Sequence, residues 1–146
     1  MANYHFDTSA LIKRYTQETG SVWVQTLTAS GSGNGIYTAS LAGPEMLATF
    51  FRKARGGNLT RKEALRLTGN FRTDWYNRYF VVKIDDAVIS SAMLVSEKYA
   101  LRGADAVHLA TALAVQQELQ SRQLPSLTFV SADLEQLHAA EAEGLA

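Results

Sequence analysis

Four short apolar runs, each giving way to a longer amphipathic stretch, constrain the fold of this chain more than any other feature. The runs are Asn3 to Phe6, Ile36 to Ala39, Phe80 to Ile84 and Leu127 to Val130, and each is followed by a Ser, Thr or Asp able to cap a helix. This alternation predicts a parallel sheet covered by helices. The first helix is expected to begin near Ser9 and run through Leu11, Ile12 and Tyr15. A second starts at Ser21, carries Val22, Trp23, Val24 and Leu27, and ends before the low-complexity loop Ser30 to Gly35. A third runs from Ser40 or Leu41 to Arg55, where Gly56-Gly57 supplies the permissive backbone of a helix C-terminus. Thr60-Arg61-Lys62-Glu63 has capping-box spacing and opens the fourth, which makes Glu63 a structural acid. The fifth follows Asp85 with Val88, Ala92, Leu94 and Val95 inward, the sixth spans Ala104 to Leu119, and the last runs from Ala132 towards Gly144. At 146 residues the chain is one ordinary domain. The expected architecture is α/β: a single domain over residues 1–146, its central parallel sheet of about four to five short strands flanked by about seven helices.

The absence of cysteine removes disulfides, thiolate ligands and Cys nucleophiles together. Any metal is then held by oxygen or imidazole, which favours a hard cation such as Mg2+ or Mn2+. The opening Met1 to Asp7 has no basic segment followed by an apolar one, and no later apolar run is long enough to span a bilayer, so a cytoplasmic protein is expected. Net charge is zero and the pI is 6.8, unusual for a protein that grips nucleic acid through its whole surface. The charge is unevenly spread. Arg52, Lys53, Arg55, Arg61, Lys62, Arg66, Arg72 and Arg78 face only Glu63 and Asp74 in their segment, whereas the chain after Asp133 has Glu135, Glu141 and Glu143 and no Lys or Arg. The basic segment reads equally as a solvated helix pair or as a track for RNA backbone, extended by Lys13 and Arg14. The three late glutamates read as solvent-facing.

Function turns on which of the fourteen acids can meet. In open α/β sheets ligands bind outside the carboxyl ends of the strands. Asp7 directly follows the first run and Asp133 lies just past the fourth, so both leave the same edge if their strands are parallel; Asp85 and Asp86 pass the same test. Glu45, among Leu41-Ala42-Gly43-Pro44 and Met46-Leu47-Ala48, would be costly to bury unless paired or metal-bound. The same holds for Asp105 in Gly103-Ala104-Asp105-Ala106-Val107-His108-Leu109-Ala110. Singly, Asp7, Asp105 and Asp133 could each be a helix cap. His108 is expected to pack in the core, and His5 and His138 to be structural or exposed. Trp23, Phe50, Phe51, Phe71, Trp75 and Tyr76 have helical spacing that points to core or a protein interface rather than base stacking.

These residues together resemble the PIN-domain family, and within it the VapC toxins of toxin-antitoxin pairs. The motifs are Tyr4-His5-Phe6-Asp7-Thr8-Ser9-Ala10-Leu11, Glu45 near a helix start, Leu101 to Ala112 around Asp105, and Leu127-Thr128-Phe129-Val130-Ser131-Ala132-Asp133. The Gly43-Pro44 before Glu45 departs from the usual pattern. The resemblance covers nearly the whole chain and assigns Asp85 and Asp86 to helix capping. It implies a metal-dependent endoribonuclease holding one or two Mg2+ or Mn2+ ions, with hydrolysis leaving a 5'-phosphate. Asp7 and Asp105 would be primary ligands, Glu45 a ligand or the acceptor orienting the attacking water, and Asp133 a second-site or water-mediated ligand. Thr8, Ser9 and Ser131 would bond these carboxylates or the phosphate, or simply cap helices. The implied partners are RNA, a cognate antitoxin protein and a second copy of the chain.

Rival readings remain. A receiver-type domain wants paired acids after the first strand and a late Lys, and a dehalogenase-like phosphatase wants Asp-x-Asp; the chain has Asp7-Thr8-Ser9. A metal-independent ribonuclease would use His5, His108 or His138 and leave a 2',3'-cyclic phosphate. A non-catalytic PIN-like adaptor would keep the fold and bind RNA or protein without cleaving it.

Overall fold

The computed structural model describes residues 1–146. Its strands are β1 (Asn3–Phe6), β2 (Gly35–Ala39), β3 (Phe80–Val82) and β4 (Leu127–Val130). Its helices are α1 (Thr8–Leu11), continued by a 3-10 turn over Ile12–Arg14, α2 (Ser21–Thr28), α3 (Ala42–Arg55), α4 (Arg61–Asn77), α5 (Asp86–Tyr99), α6 (Gly103–Ser121) and α7 (Leu134–Ala142). All pairings are parallel and the sheet order is β3-β2-β1-β4. The sheet therefore has four strands, at the lower end of the expected count. β3 stops at Val82 rather than Ile84 because its only neighbour, β2, ends at Ala39 opposite Val82. With no partner for Lys83 and Ile84, the ladder cannot continue.

Side-chain alternation along the strands separates two cores. Leu127 and Phe129 face α5, α6 and α7, where Val88, Ala92, Val95, Leu109 and Ala112 are buried. Phe6, Ile36 and Val130 face the other way, onto α1, α3 and α4 with Leu11, Met46, Phe50 and Phe71. Trp23 and Tyr76 stay exposed, so the aromatic set divides between core and surface. Leu94 is 69% exposed rather than inward. On a helix Val88, Ala92 and Val95 share a face at i, i+4 and i+7, and Leu94 lies off it.

Local chemistry sets the helix ends. Thr60 and Glu63 form the reciprocal capping box, and α3 ends before Gly56, with Gly57 in the left-handed region at φ 84°. Asp85 caps α5 through Val88 N at 2.9 Å. The first helix is capped by Asp7 rather than starting at Ser9, and tightens to 3-10 geometry before Tyr15. The last starts at Leu134 behind the cap Asp133. Glu143 is pinned by Lys98 at 2.9 Å and by Tyr99 at 2.5 Å, unlike exposed Glu135 and Glu141.

The topology positions the site. β2 and β3 step away from β1 on one side while β4 pairs on the other, so the order reverses beside β1. β1 and β4 end in register at Phe6 and Val130, and Asp7 N donates to Val130 O at 3.1 Å. Asp7 and Ser131 therefore leave the sheet side by side at the carboxyl edge, where α/β folds place ligands.

Candidate active site

Asp7 is 2% exposed, and every one of its oxygens is spoken for by a neutral donor. Oδ1 accepts from Ser9 Oγ at 2.7 Å and Ala10 N at 3.0 Å, and Oδ2 accepts from Ser131 Oγ at 2.6 Å. Burial pushes its carboxyl pKa up, and the bonds from Ser131 and Ser9 only partly oppose this. Asp7 is thus both the cap of α1 and a wall of the cleft; the two roles are not alternatives.

Glu45 stands in the first turn of α3, facing α6. Its Oε1 accepts from Thr8 Oγ1 at 2.7 Å and meets His108 Nε2 at 2.6 Å. Partial burial raises its pKa, but the bonds from His108 and Thr8 outweigh that and leave it lowered. His108 is buried as expected, yet it belongs to the site and not only to the core. His5, behind it, stacks on Phe129 and meets Thr111 Oγ1 at 3.1 Å. Burial holds the His5 pKa down at about 3, so His5 is neutral across the ordinary pH range.

Asp105 lies in the first turn of α6, and Arg102 Nε reaches its Oδ2 at 3.3 Å. The same guanidinium stands 4.0 Å from Asp133 Oδ2. Arg102 is 85% exposed, so screening by water makes these pairs weak and easily exchanged. Asp133 also caps α7 through Glu135 N at 3.0 Å. Gln136, fully buried, ties the corner together: its Nε2 donates to Asp105 O at 2.9 Å, and Ser131 Oγ lies 3.3 Å from its Oε1.

A cleft of about 280 Å³ is lined by Asp7, Thr8, Ser9, Glu45, Thr49, Arg52, Asp105 and His108, with Ala48 its one apolar residue. Three of the four acids singled out in the sequence meet there; Asp133 stands at its side, joined through Ser131 and Arg102. Arg52, together with Arg55 and Arg61 in a neighbouring groove, carries positive charge to the rim. Arg14 and Arg78 do not extend that charge, because both are bound to Asp74. Sequence reasoning missed Arg102, Thr49 and Gln136. Gln136 carries no local signal, since its partners are 31 and 5 residues away.

The donors are carboxylates and hydroxyls, the chemistry of a site for Mg2+ or Mn2+. No three Asp, Glu or His groups stand close enough together to hold a metal ion with the side chains in these positions. The reason is visible in the contacts: Ser9 and Ser131 occupy Asp7, His108 and Thr8 occupy one oxygen of Glu45, and Arg102 occupies Asp105. The set fits a hard cation in donor type, and its weakest internal contact, the exposed Arg102 pair, is the one a cation would replace.

No protein-family model matches the chain. Among characterised proteins it is 36% identical over 114 residues to Ribonuclease VapC45 of Mycobacterium tuberculosis strain CDC 1551, a match covering 76% of this chain and 75% of that protein. Ribonuclease VapC49 of strain H37Rv matches with the same identity and coverage. Among solved structures, PAE2754 from Pyrobaculum aerophilum aligns with a TM-score of 0.61 at 19% identity, over 94% of this chain and 84% of that one. VapBC2 from Rickettsia felis, solved bound to a DNA fragment from its promoter, aligns with a TM-score of 0.55 at 11% identity, over 87% and 98%. These two likenesses bear on the fold alone.

Proposed function

The chain belongs to the VapC ribonucleases, a PIN-domain family, and from that premise we propose that it is a metal-dependent endoribonuclease, the toxin of a toxin-antitoxin pair. The observation that carries the reading is the meeting of Asp7, Glu45 and Asp105, from three separate elements, in one polar cleft at the carboxyl edge of the sheet. Like charges so gathered repel unless a cation joins them. A bound Mg2+ or Mn2+ supplies positive charge against a scissile phosphate and a lowered pKa for water.

The chain's own groups divide the remaining work. Asp7 and Asp105 are the primary ligands, and Asp133 holds a second or water-mediated position. Glu45 is a ligand or accepts the proton of the attacking water, for which its low pKa keeps it ionised. Arg52, in the cleft wall, offers a guanidinium to a phosphate oxygen, and Arg55 and Arg61 in the adjoining groove extend the attraction along an RNA backbone. The partners of this reading are RNA, an antitoxin protein and a second copy of the chain. No helix is long and apolar enough to cross a membrane.

One observation favours a second reading. The acids do not converge on a single point as they stand, as expected of a PIN-like adaptor that binds RNA or protein without cleaving. Purified, antitoxin-free protein offered end-labelled structured RNAs in Mg2+ or Mn2+, with EDTA and Asp105→Asn controls, separates the two. The nuclease gives cuts that both controls abolish and that end in 5'-phosphates. Cuts that survive EDTA and end in 2',3'-cyclic phosphates overturn it, and folded protein that binds RNA but never cuts establishes the adaptor.

A further inference from the structure

Glu45 is held from one side only. Both of its hydrogen bonds fall on Oε1, from Thr8 Oγ1 at 2.7 Å and His108 Nε2 at 2.6 Å, and Oε2 has no protein partner. The carboxylate lines the cleft with its side chain 32% exposed, whereas the His108 side chain is 3% exposed. The other ring nitrogen of His108, Nδ1, is buried with no hydrogen-bond partner. These contacts assign the tautomer. A proton on Nδ1 would bury an N–H with nothing to receive it, a costly state. A bare Nε2 would point a lone pair at a carboxylate oxygen. Only the neutral ring with its proton on Nε2 satisfies both ends, and Nε2 also lies 3.3 Å from Thr8 Oγ1, closing a three-membered contact around Oε1.

The scaffold makes this contact rigid. Thr8 opens α1 directly behind Asp7, and His108 sits one turn beyond Asp105 on α6, where Thr111 Oγ1 bonds its carbonyl at 2.8 Å. Each of the two donors to Glu45 is therefore carried by the same element as a second cleft carboxylate. A glutamate left to itself samples several rotamers, and fixing it costs entropy at the moment of binding. Here that cost is met by folding.

We propose that His108 is a positioning residue which, as the neutral Nε2–H tautomer and together with Thr8, locks Oε1 of Glu45 and leaves Oε2 as the single oxygen presented to a divalent cation or its water. The inference rests on the metal-dependent nuclease reading and deepens it: Glu45 acts through one oxygen, and bidentate capture of the cation is blocked. Partners that orient a ligating group in this way typically change metal affinity or activity about 10–100-fold when removed.

The test uses full-length protein. Nitrogen-15 NMR of metal-free protein reads the tautomer of His108, and Mn2+ titration followed by electron paramagnetic resonance reads affinity apart from activity. His108→Leu removes the donor with little else to lose, because Nδ1 has no partner. His108→Gln restores a side-chain N–H, and Thr8→Val removes the second donor outside the core. The expected result is the Nε2–H tautomer, Mn2+ affinity about tenfold weaker in His108→Leu, recovery in His108→Gln, and a loss in the same direction in Thr8→Val. An Nδ1–H tautomer, or leucine and valine variants that bind Mn2+ as tightly as the native chain, overturns the inference while leaving the nuclease reading intact. Native protein that binds no Mn2+ and cuts no RNA overturns both. Should His108→Leu fail to fold, the tautomer and the Thr8→Val titration decide alone.

Discussion

Asp74 and Asp7 are both buried aspartates surrounded by hydroxyl groups, yet the fold supplies their counter-charges differently. Asp74 on α4 is 7% exposed and receives Arg14 Nε at 3.0 Å, Arg78 Nη1 at 3.1 Å and Tyr15 OH at 2.6 Å. Burial would raise its pKa, but the bonds from Tyr15 and Arg14 prevail and hold it low. The same burial pushes the phenols of Tyr15 and Tyr79 up, so neither ionises near neutrality. The guanidiniums reach on: Arg14 Nη1 donates to Thr28 Oγ1 at 3.0 Å and Arg78 Nη2 to Thr28 O, so one carboxylate links the turn after α1, the end of α2 and the end of α4. Asp7 has hydroxyls and an amide but no cation of its own, and its pKa is raised. The first centre is complete within the chain and acts as a strut. The second is left short of positive charge, which is what a site for an external cation requires.

Removing the strut has the largest expected effect. Asp74→Ala leaves Arg14 and Arg78 partly buried without a counter-ion and should cost about 3 kcal/mol, read as a fall in the urea midpoint at pH 7. A loss below about 1 kcal/mol would mean that water replaces the carboxylate and that the contrast with Asp7 is unfounded. The pH dependence has a definite sign. Because the folded pKa of Asp74 is depressed, its contribution is present above the unfolded value near 3.9 and disappears as pH falls through the lower folded value. The deficit of Asp74→Asn should therefore shrink in strong acid.

Supplying the missing charge is the complementary experiment. Mn2+ at about a hundred times its dissociation constant should stabilise the native chain by about 2.7 kcal/mol, seen as a rise in melting temperature. The rise should be absent in Asp105→Asn; an equal rise there would place the cation elsewhere.

The smallest effect is the most pointed. Asp7 has a raised folded pKa, so the cost of ionising it is absent below the unfolded pKa and grows until pH passes the folded one. In metal-free protein at pH 7, Asp7→Asn should be as stable as the native chain or more stable by about 1 kcal/mol, while RNA cleavage is lost. Clear destabilisation would show that Asp7 is primarily a structural cap, held by Ser9, Ser131 and Ala10.

The contrast was half visible in the sequence. Asp7 and Asp133 could be placed on one edge because each follows a strand, and strand ends are written in local composition. Asp74 looked like one of two acids diluting a basic segment, and Arg78 and Arg14 fitted a solvated helix surface and an RNA track equally; the structure ties both guanidiniums to Asp74. Their engagement spans 60 residues for Arg14 and only 4 for Arg78, so even a helical neighbour was misread when its burial was unknown. His108 was rightly placed in the interior, but its place in the cleft wall against Glu45 was not legible. An apolar helix face looks the same whether it meets sheet or a glutamate.

Element type, the capping box of α4 and the start of α5 behind Asp85 were settled by the sequence itself, because periodicity and capping depend on neighbours a few residues apart. The tertiary structure alone decided the order β3-β2-β1-β4, the meeting of Glu45 with His108 across 63 residues, and which carboxylates receive a cation from within the chain. Those outcomes depend on how helices pack across a twisted sheet, and a separation of a few ångströms there decides whether an aspartate becomes a strut or is left without a counter-charge from within the chain.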